Sequence, residues 1–253
     1  MERYDAVVIA GTTEAARVIA ALEQRNMKVL ATVATQLGKE VLNELHCHVH
    51  TGRMDLEAFQ EMFRITGVPL VVDASHPFAA VVSQTVKEAC KSTGAKYLRY
   101  LRKDCGYDYT RIFYVDSAME AASLAASMEG NILLTTGANT AAVYKEKIRD
   151  FNQRVFIRVL DTEFSRLRCE EAGIDYGHVI AKNPPFSVED NLDVLEAFGI
   201  RLLVSKDSGA SGGVFEKIES ARRMGIPVIL IRKPDQEEGV FSIEELLKSI
   251  GGI

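Results

Sequence analysis

Leu70-Val-Val-Asp73-Ala-Ser-His-Pro-Phe-Ala79 decides how this chain is read. The apolar start reads as a buried strand. It ends in a carboxylate, a hydroxyl and an imidazole, and a proline then stops the ladder because it has no N–H to donate. Ala80 to Lys91 follows with helical character. A strand that ends in polar chemistry and turns directly into a helix is the unit of a parallel α/β sheet. Ligands of such sheets bind beyond the carboxyl ends of the strands. His76 and its neighbours are therefore expected on the lip of a binding crevice. The plainer alternative is a strand-to-helix turn in which Asp73 or Ser75 caps the helix.

Outward from this stretch the same rhythm repeats. Strands are expected at Ala6–Ala10, Val29–Val33, His48–Thr51, Leu70–Ala74 and Tyr97–Leu101, with helices at Glu14–Gln24, Lys39–Glu44, Leu56–Ile65 and Ala80–Lys91. The rhythm breaks at the polar run Lys103 to Thr110. It resumes with strands at Phe113–Val115, Ile132–Thr135, Val155–Val159, Val179–Ala181, Leu202–Val204 and Val228–Ile231. The helices expected among them are Ala118–Met128, Thr140–Arg149, Ser187–Phe198 and Gly213–Met224, and Ile243–Ile250 closes the chain. Strands alternating with helices imply parallel, doubly wound sheets. Near-continuous Val, Ile and Leu runs imply burial on both faces. The expected organisation is two Rossmann-like lobes, 1–122 and 123–253.

Composition agrees with a soluble globular protein: 253 residues, 47% apolar and 26% charged. A formal net charge of −5 argues against a general nucleic-acid or membrane-surface binder, while leaving room for a local basic pocket. Cys47, Cys90, Cys105 and Cys169 are scattered and form no CxxC pair, as expected of reduced thiols in a cytoplasmic protein. The first strand begins almost at once, so no signal peptide is expected. No apolar run reaches the roughly 18 residues that would span a bilayer.

The strand-end loops carry the candidate chemistry. Ala10-Gly11-Thr12-Thr13-Glu14 follows the first strand. A glycine there lets backbone approach a phosphate at the free N–H groups of the next helix. It is not a GxGxxG fingerprint, and Thr13 as a simple helix cap is the plain alternative. The second strand runs into Thr35-Gln-Leu-Gly38-Lys39. It lacks the acidic residue that would hold the ribose hydroxyls of NAD. Thr35, Gln36 and Lys39 suit a 2′-phosphate, which favours NADPH and leaves NADH possible. Arg53 adds a cation after the third strand.

In the second lobe Thr135-Thr-Gly137-Ala-Asn139 follows a strand, and Arg158 lies within the next. Asn183-Pro-Pro-Phe186-Ser187 precedes a helix that Ser187 should cap. Lys206-Asp207-Ser208-Gly209-Ala-Ser-Gly212-Gly213 is a small, polar loop before another helix. His46-Cys-His48-Val-His50 invites a metal reading, but no carboxylate or cysteine partner is apparent. It reads as the face of an edge strand, and no metal site is assigned. His178 reads as structural.

Taken in order, Gly11-Thr-Thr-Glu14, Asp73-Ala-Ser-His-Pro-Phe-Ala79, Tyr97-Leu-Arg99, Thr136-Gly137, Arg158-Val-Leu160, Pro185-Phe-Ser187 with Asn191, and Lys206-Asp-Ser-Gly209 with Gly212-Gly213 resemble the precorrin-6A reductase family of cobalamin biosynthesis. They span nearly the whole chain. It departs from the family pattern at Ala10, Ser75, Pro184 and Asp161, and no departure removes a charged or imidazole group. The resemblance implies two Rossmann-like domains with the active site between them. It implies hydride transfer from NAD(P)H to a carbon–carbon double bond of precorrin-6A or its cobalt form.

On that reading His76 is the first candidate for proton donor and Asp207 the second, with solvent a third. The cofactor candidates are Gly11, Thr12, Thr13 and Glu14, then Thr35, Gly38 and Arg53, with Ser75 and Pro77. A substrate rich in acetates and propionates calls for cations and N–H groups. Arg53, Arg99, Arg158 and Lys206 are the cations, joined by Gly137, Asn139, Phe186, Ser187, Ser208 and Gly209.

Three other readings compete. A short-chain-type oxidoreductase would need a Tyr-x-x-x-Lys pair, and Tyr144 has no lysine four residues on. A nucleotide-sensing module would need no polar loops in the second lobe. A tetrapyrrole methyltransferase would bind S-adenosylmethionine. Oligomeric state is not legible.

Overall fold

Apolar residues, many of them β-branched, fit a pleated surface packed on both sides, and they make up most of the central strands. The computed structural model describes residues 2–102, 106–209, 212–234 and 238–251. In its first unit β1 (Ala6–Ile9), β2 (Val29–Val33) and β4 (Leu70–Asp73) are buried at every position. The outer strands β3 (His48–Thr51) and β5 (Lys96–Arg99) are less covered. All five run parallel in the order β3-β2-β1-β4-β5.

Helices α1 (Thr13–Glu23), α2 (Gln36–Glu40), α3 (Leu56–Thr66) and α4 (Ala80–Thr93) make the crossovers. Alternate strand residues feed two cores. Val8, Ala31 and Val72 pack with Val18, Ile19 and Leu22 of α1. Val7, Leu30 and Val71 pack with Phe59, Phe63, Val86 and Ala89 of α3 and α4. The helix expected at Lys39–Glu44 instead begins at Gln36, because Thr35 caps it by accepting from the Gly38 amide.

The second unit holds β6 (Ile112–Val115), β7 (Asn131–Leu134), β8 (Val155–Val159), β9 (Val179–Ala181), β10 (Ile200–Lys206) and β11 (Val228–Ile231). They form one parallel sheet in the order β6-β11-β10-β7-β8-β9. Its helices are α5 (Ala118–Ala126), α6 (Ala141–Lys147), α7 (Phe151–Arg154), α8 (Glu163–Glu171), α9 (Val188–Ala197) and α10 (Val214–Met224). His178 is structural, as expected. Its ring stacks on Phe156 at 4.3 Å and Nδ1 lies 2.9 Å from the Val155 carbonyl.

The division between the units differs from the expected one at 122/123. The first unit is residues 1–103 with 234–253, and the second is 104–233. The expected boundary falls inside α5, and β6 before it already pairs with β11. The chain then returns to the first unit. Val240 bridges Tyr100 in parallel beside β5, and α11 (Ile243–Ile250) adds Leu246 and Ile250 to the core beneath α1. Helical periodicity shows that α11 is amphipathic; it does not say which sheet receives it.

Strand order reverses once in each sheet, between β1 and β4 and between β7 and β10. At such a point the connections diverge to opposite faces and leave a crevice at the carboxyl edge.

Candidate active site

Because the strands of the first unit are parallel, the loops that follow them share one edge. Across it stand Arg53 after β3, Thr35 after β2, Gly11 after β1 and His76 after β4. Gly11 is exposed with φ +107, and a Cβ built there would meet nothing within 4 Å. Its backbone is therefore open to a ligand, in a conformation that disfavours any side chain.

Thr12, rather than Thr13, caps α1. Its Oγ1 accepts from the Ala15 amide at 3.1 Å and donates to the Ala74 carbonyl at 2.8 Å. One hydroxyl thus ties the loops on either side of the switch point. Thr13 is exposed beside it. Glu14 is buried, and its Oε2 accepts from Arg102 Nη2 at 2.7 Å. Gly38 is a packing glycine, since a Cβ there would lie 3.2 Å from that of Val33.

Under the loop after β4 sits a buried ion pair. Asp73 is fully buried, and its Oδ1 lies 2.6 Å from Arg99 Nη1. Tyr97 donates its hydroxyl to Asp73 Oδ2 at 2.9 Å, and the Ser75 amide donates to Oδ1 at 3.0 Å. Arg99 Nη1 also donates to Ser75 Oγ at 2.9 Å and to the Asp73 carbonyl. This corrects two expectations. Arg99, 9% exposed, is a staple beneath the loop and not a cation on the rim. Neither Asp73 nor Ser75 caps α4, whose N-cap is Ala79 without a side-chain bond. Pro77 is buried with them.

His76 stands on top of this network and is exposed. Its Nδ1 accepts from the Phe78 amide at 3.2 Å, which places the proton of the neutral ring on Nε2. The Phe78 ring lies 5.9 Å away and limits how the imidazole can turn. An imidazole on an exposed lip can act as a general acid once it takes up a second proton, and it then returns to this neutral ring.

The second unit gathers its candidates at the corresponding edge. Gly137, φ +85, and the exposed Asn139 follow β7. Lys206 ends β10, part-buried, and burial pulls its ammonium below the ordinary lysine value. Asp207 Oδ1 accepts from the Tyr107 hydroxyl at 2.8 Å. Ser208 and Gly209 are buried, with Gly209 at φ +74. Ala210 and Ser211 of that loop, and Cys105, lie outside the described residues.

Ser187 caps α9 in a full capping box with Asp190, as expected. Lys182 and the Ser187 bonds hold the Asp190 carboxyl below the usual carboxylate range. Arg158 is buried at 6% exposure, with its guanidinium 4.1 Å over the Phe186 ring. Its Nη1 donates to Asn191 Oδ1 at 2.9 Å. Burial brings its pKa down to about 10.

Sequence reasoning missed Arg102, Tyr107 as the partner of Asp207, and Lys217 on α10. Arg102 and Tyr107 lie at and within the polar stretch after β5, and each is placed by a partner distant in sequence, Glu14 and Asp207. Lys217 sits one turn into a helix, where a lysine reads as solvated. It is instead part-buried, and burial, helped by Arg158, lowers its pKa to about 8 against the opposing pull of Glu216. Tyr144 is fully buried, and burial raises its pKa, so it is no exposed catalytic phenol. His48 and His50 are exposed on the edge strand β3, and His48 Nδ1 lies 2.6 Å from the Tyr4 hydroxyl.

Comparison with known proteins gives one answer throughout. The family profile described as "Precorrin-6x reductase CbiJ/CobK" matches residues 5–251. A cobalt-precorrin-6A reductase from Priestia megaterium is 32% identical over 247 residues, covering 96% of this chain and 97% of its own. One from Methanothermobacter thermautotrophicus is 31% identical, over 98% of this chain and 84% of its own. The precorrin-6A reductase of Rhodobacter capsulatus is 28% identical, over 90% and 87%. A solved structure named CobK precorrin-6A reductase matches with a TM-score of 0.78 over 100% of this chain and 97% of its own. At 21% identity that match shows the fold.

Proposed function

The chain belongs to the precorrin-6x reductase family, and on that premise we propose how its residues divide the work. It is an oxidoreductase of the precorrin-6A reductase type in cobalamin biosynthesis. It uses a nicotinamide cofactor and acts on a carbon–carbon double bond of a tetrapyrrole. The finer reading is that the cofactor is NADPH, that the first unit holds it, and that the macrocycle carries cobalt. The relatives from Priestia megaterium and Methanothermobacter thermautotrophicus bear the cobalt form in their names.

The observation that carries the assignment is the pairing, across the β1/β4 switch point, of the open Gly11 turn with the exposed His76. The residues fit a dinucleotide. Gly11 exposes bare backbone, and the amides at the start of the 11-residue α1 are aligned for a phosphate. Thr12 and Thr13 surround the same turn. Glu14 places a negative charge there, but Arg102 pairs with it. Its part is to position Arg102, not to touch a phosphate. Thr35, the α2 turn around Gly38, and Arg53 would meet the ribose end, and β2 ends without the acidic residue that holds the ribose hydroxyls of NAD. Ser75 and Pro77 shape the wall on the β4 side.

When bound, the cofactor supplies the hydride. The chain supplies orientation and the proton. His76 would deliver it as the imidazolium and return to the neutral ring whose Nδ1 accepts from the Phe78 amide. Asp207 already accepts from Tyr107, which suits it less to giving a proton, and it stands second. In the second unit Arg158, Phe186, Lys206 and the Ser208-Gly209 turn would receive the acidic macrocycle, with Gly137 and Asn139 beside them. Ser187 supports this site as the cap of α9. Arg99 supports the catalytic loop from below. No helix among the described residues is long and apolar enough to cross a membrane, and the cytoplasm is the expected compartment.

The test is an anaerobic assay with precorrin-6A, with and without cobalt, against NADPH and NADH. Oxidation of NADPH coupled to a change in the tetrapyrrole spectrum, faster with cobalt present, is the expected result. Preference for NADH would overturn the cofactor assignment, and preference for the metal-free macrocycle would overturn the cobalt one.

A further inference from the structure

Two cations in the second unit have no carboxylate in contact with them among the described residues. Arg158 is 6% exposed and spends Nη1 on Asn191, while its Nη2 is buried without any hydrogen-bond partner. Lys217, on α10, makes a single hydrogen bond, from Nζ to the Gly212 carbonyl at 3.1 Å. Among the described residues neither side chain forms an ion pair. The two lie within electrostatic reach of each other, and each makes the other harder to keep charged.

The carboxylates nearby do not relieve them. Asp190 is held by Lys182 at 2.9 Å and by Ser187. Glu216 precedes Lys217, but its Oε2 is itself buried without a hydrogen bond, so it neutralises neither cation by contact. A buried charge without a partner is destabilising, and leaving guanidinium N–H groups unmet adds to that. The elements that place these groups meet at the carboxyl edge. Arg158 is the fourth residue of β8, Asn191 lies one turn into α9, and Lys217 one turn into α10, which packs on α9.

We propose that Arg158 and Lys217 form a two-cation clamp for one carboxylate of the macrocycle, making Lys217 a determinant of substrate specificity. Resting on the reading of the second unit as the substrate side, this adds a residue to that site. The carboxylate oxygens take the free Nη2 donor of Arg158 and the unused Nζ donors of Lys217, and the guanidinium stays over the Phe186 ring, 4.1 Å from its centroid. Binding then supplies the charge that the empty site lacks, so affinity and electrostatic relief coincide.

The experiment measures Kd for precorrin-6A and for NADPH separately, together with turnover, in wild type, Lys217→Met and Lys217→Arg. Thermal melts verify that each variant is folded. Lys217→Met is expected to weaken precorrin-6A binding about tenfold, the effect of losing a charge-assisted contact, with NADPH binding unchanged. Lys217→Arg should restore most of it. If the loss falls on NADPH, the anion held is a phosphate and the proposal fails. If wild type turns over while Lys217→Met binds precorrin-6A within twofold of it, the clamp fails and the reductase stands. If precorrin-6A binds in a Lys217-dependent way but no nucleotide oxidises it, the clamp stands and the reaction fails. Absence of precorrin-6A binding to wild type overturns both.

Discussion

At the scale of single residues, the site divides into groups that face a ligand and groups that hold them there. On the proposed function His76 belongs to the first kind. His76→Ala should lower turnover about a hundredfold, in the range of general-acid contributions, and leave the NADPH Kd unchanged. Steady-state kinetics beside a nucleotide titration would show it, and unaltered turnover removes His76 from the mechanism. Arg99 belongs to the second kind. Arg99→Ala strands the buried Asp73 carboxylate and should cost about 3–5 kcal/mol in a urea melt, far more than a surface ion pair would. The presence of a cation there was legible in the sequence. Its partner was not, because Asp73 lies on the neighbouring strand, in register with Arg99 across the sheet. Lys217 reverses the usual sign. Its folded value of about 8 lies below the ordinary 10.5. Between these the unfolded chain binds more protons, so this group makes stability rise with pH across that window and costs stability below it. Lys217→Met should therefore stabilise the protein at pH 7, by about 1–3 kcal/mol, with the gain shrinking toward pH 10 in paired urea melts.

At the scale of elements, the central strands were legible because buried Val, Ile and Leu runs leave little choice in a parallel sheet, and the edge strands β3, β5, β6 and β9 were legible from the alternation around them. α8 was not. It buries only Ser165 and Cys169, while Phe164 and Leu167 stay about half exposed, so its sequence offers no apolar face to read. The cap of α1 was displaced by one residue, since Thr12 and Thr13 are chemically alike and only the bond to the Ala74 carbonyl separates them. The Gly11 turn yields the prediction at this scale. A side chain at φ +107 is strained and would project into the open space before α1. Gly11→Val should weaken NADPH binding by tenfold or more in a fluorescence titration, while precorrin-6A binding is retained. Unchanged nucleotide affinity would move the cofactor away from β1.

At the scale of the whole molecule, two parallel sheets and their number were legible from the alternation of patterns. The partition of the chain between them was not. The polar run after β5 marks the true change of unit, but α5 looked like its continuation, and nothing local in Val240 or α11 points back across more than a hundred residues to β5 and α1. Leu246 is fully buried in the first unit's core. Leu246→Ala should cost about 2–5 kcal/mol. Its loss should appear as a lowered melting transition for the first unit and weaker NADPH binding, with the second unit's transition unmoved. A fall in the other transition would place α11 wrongly. The split chain also sets an order of events on the ribosome. Domains fold as units while synthesis proceeds from the N-terminus. Here the first unit starts first and must finish last. Its opening hundred residues emerge without α11 and wait, with the apolar underside of α1 uncovered, until the entire inserted unit has been made. Translational pausing or a premature stop near the end would thus harm the part of the enzyme encoded at its beginning.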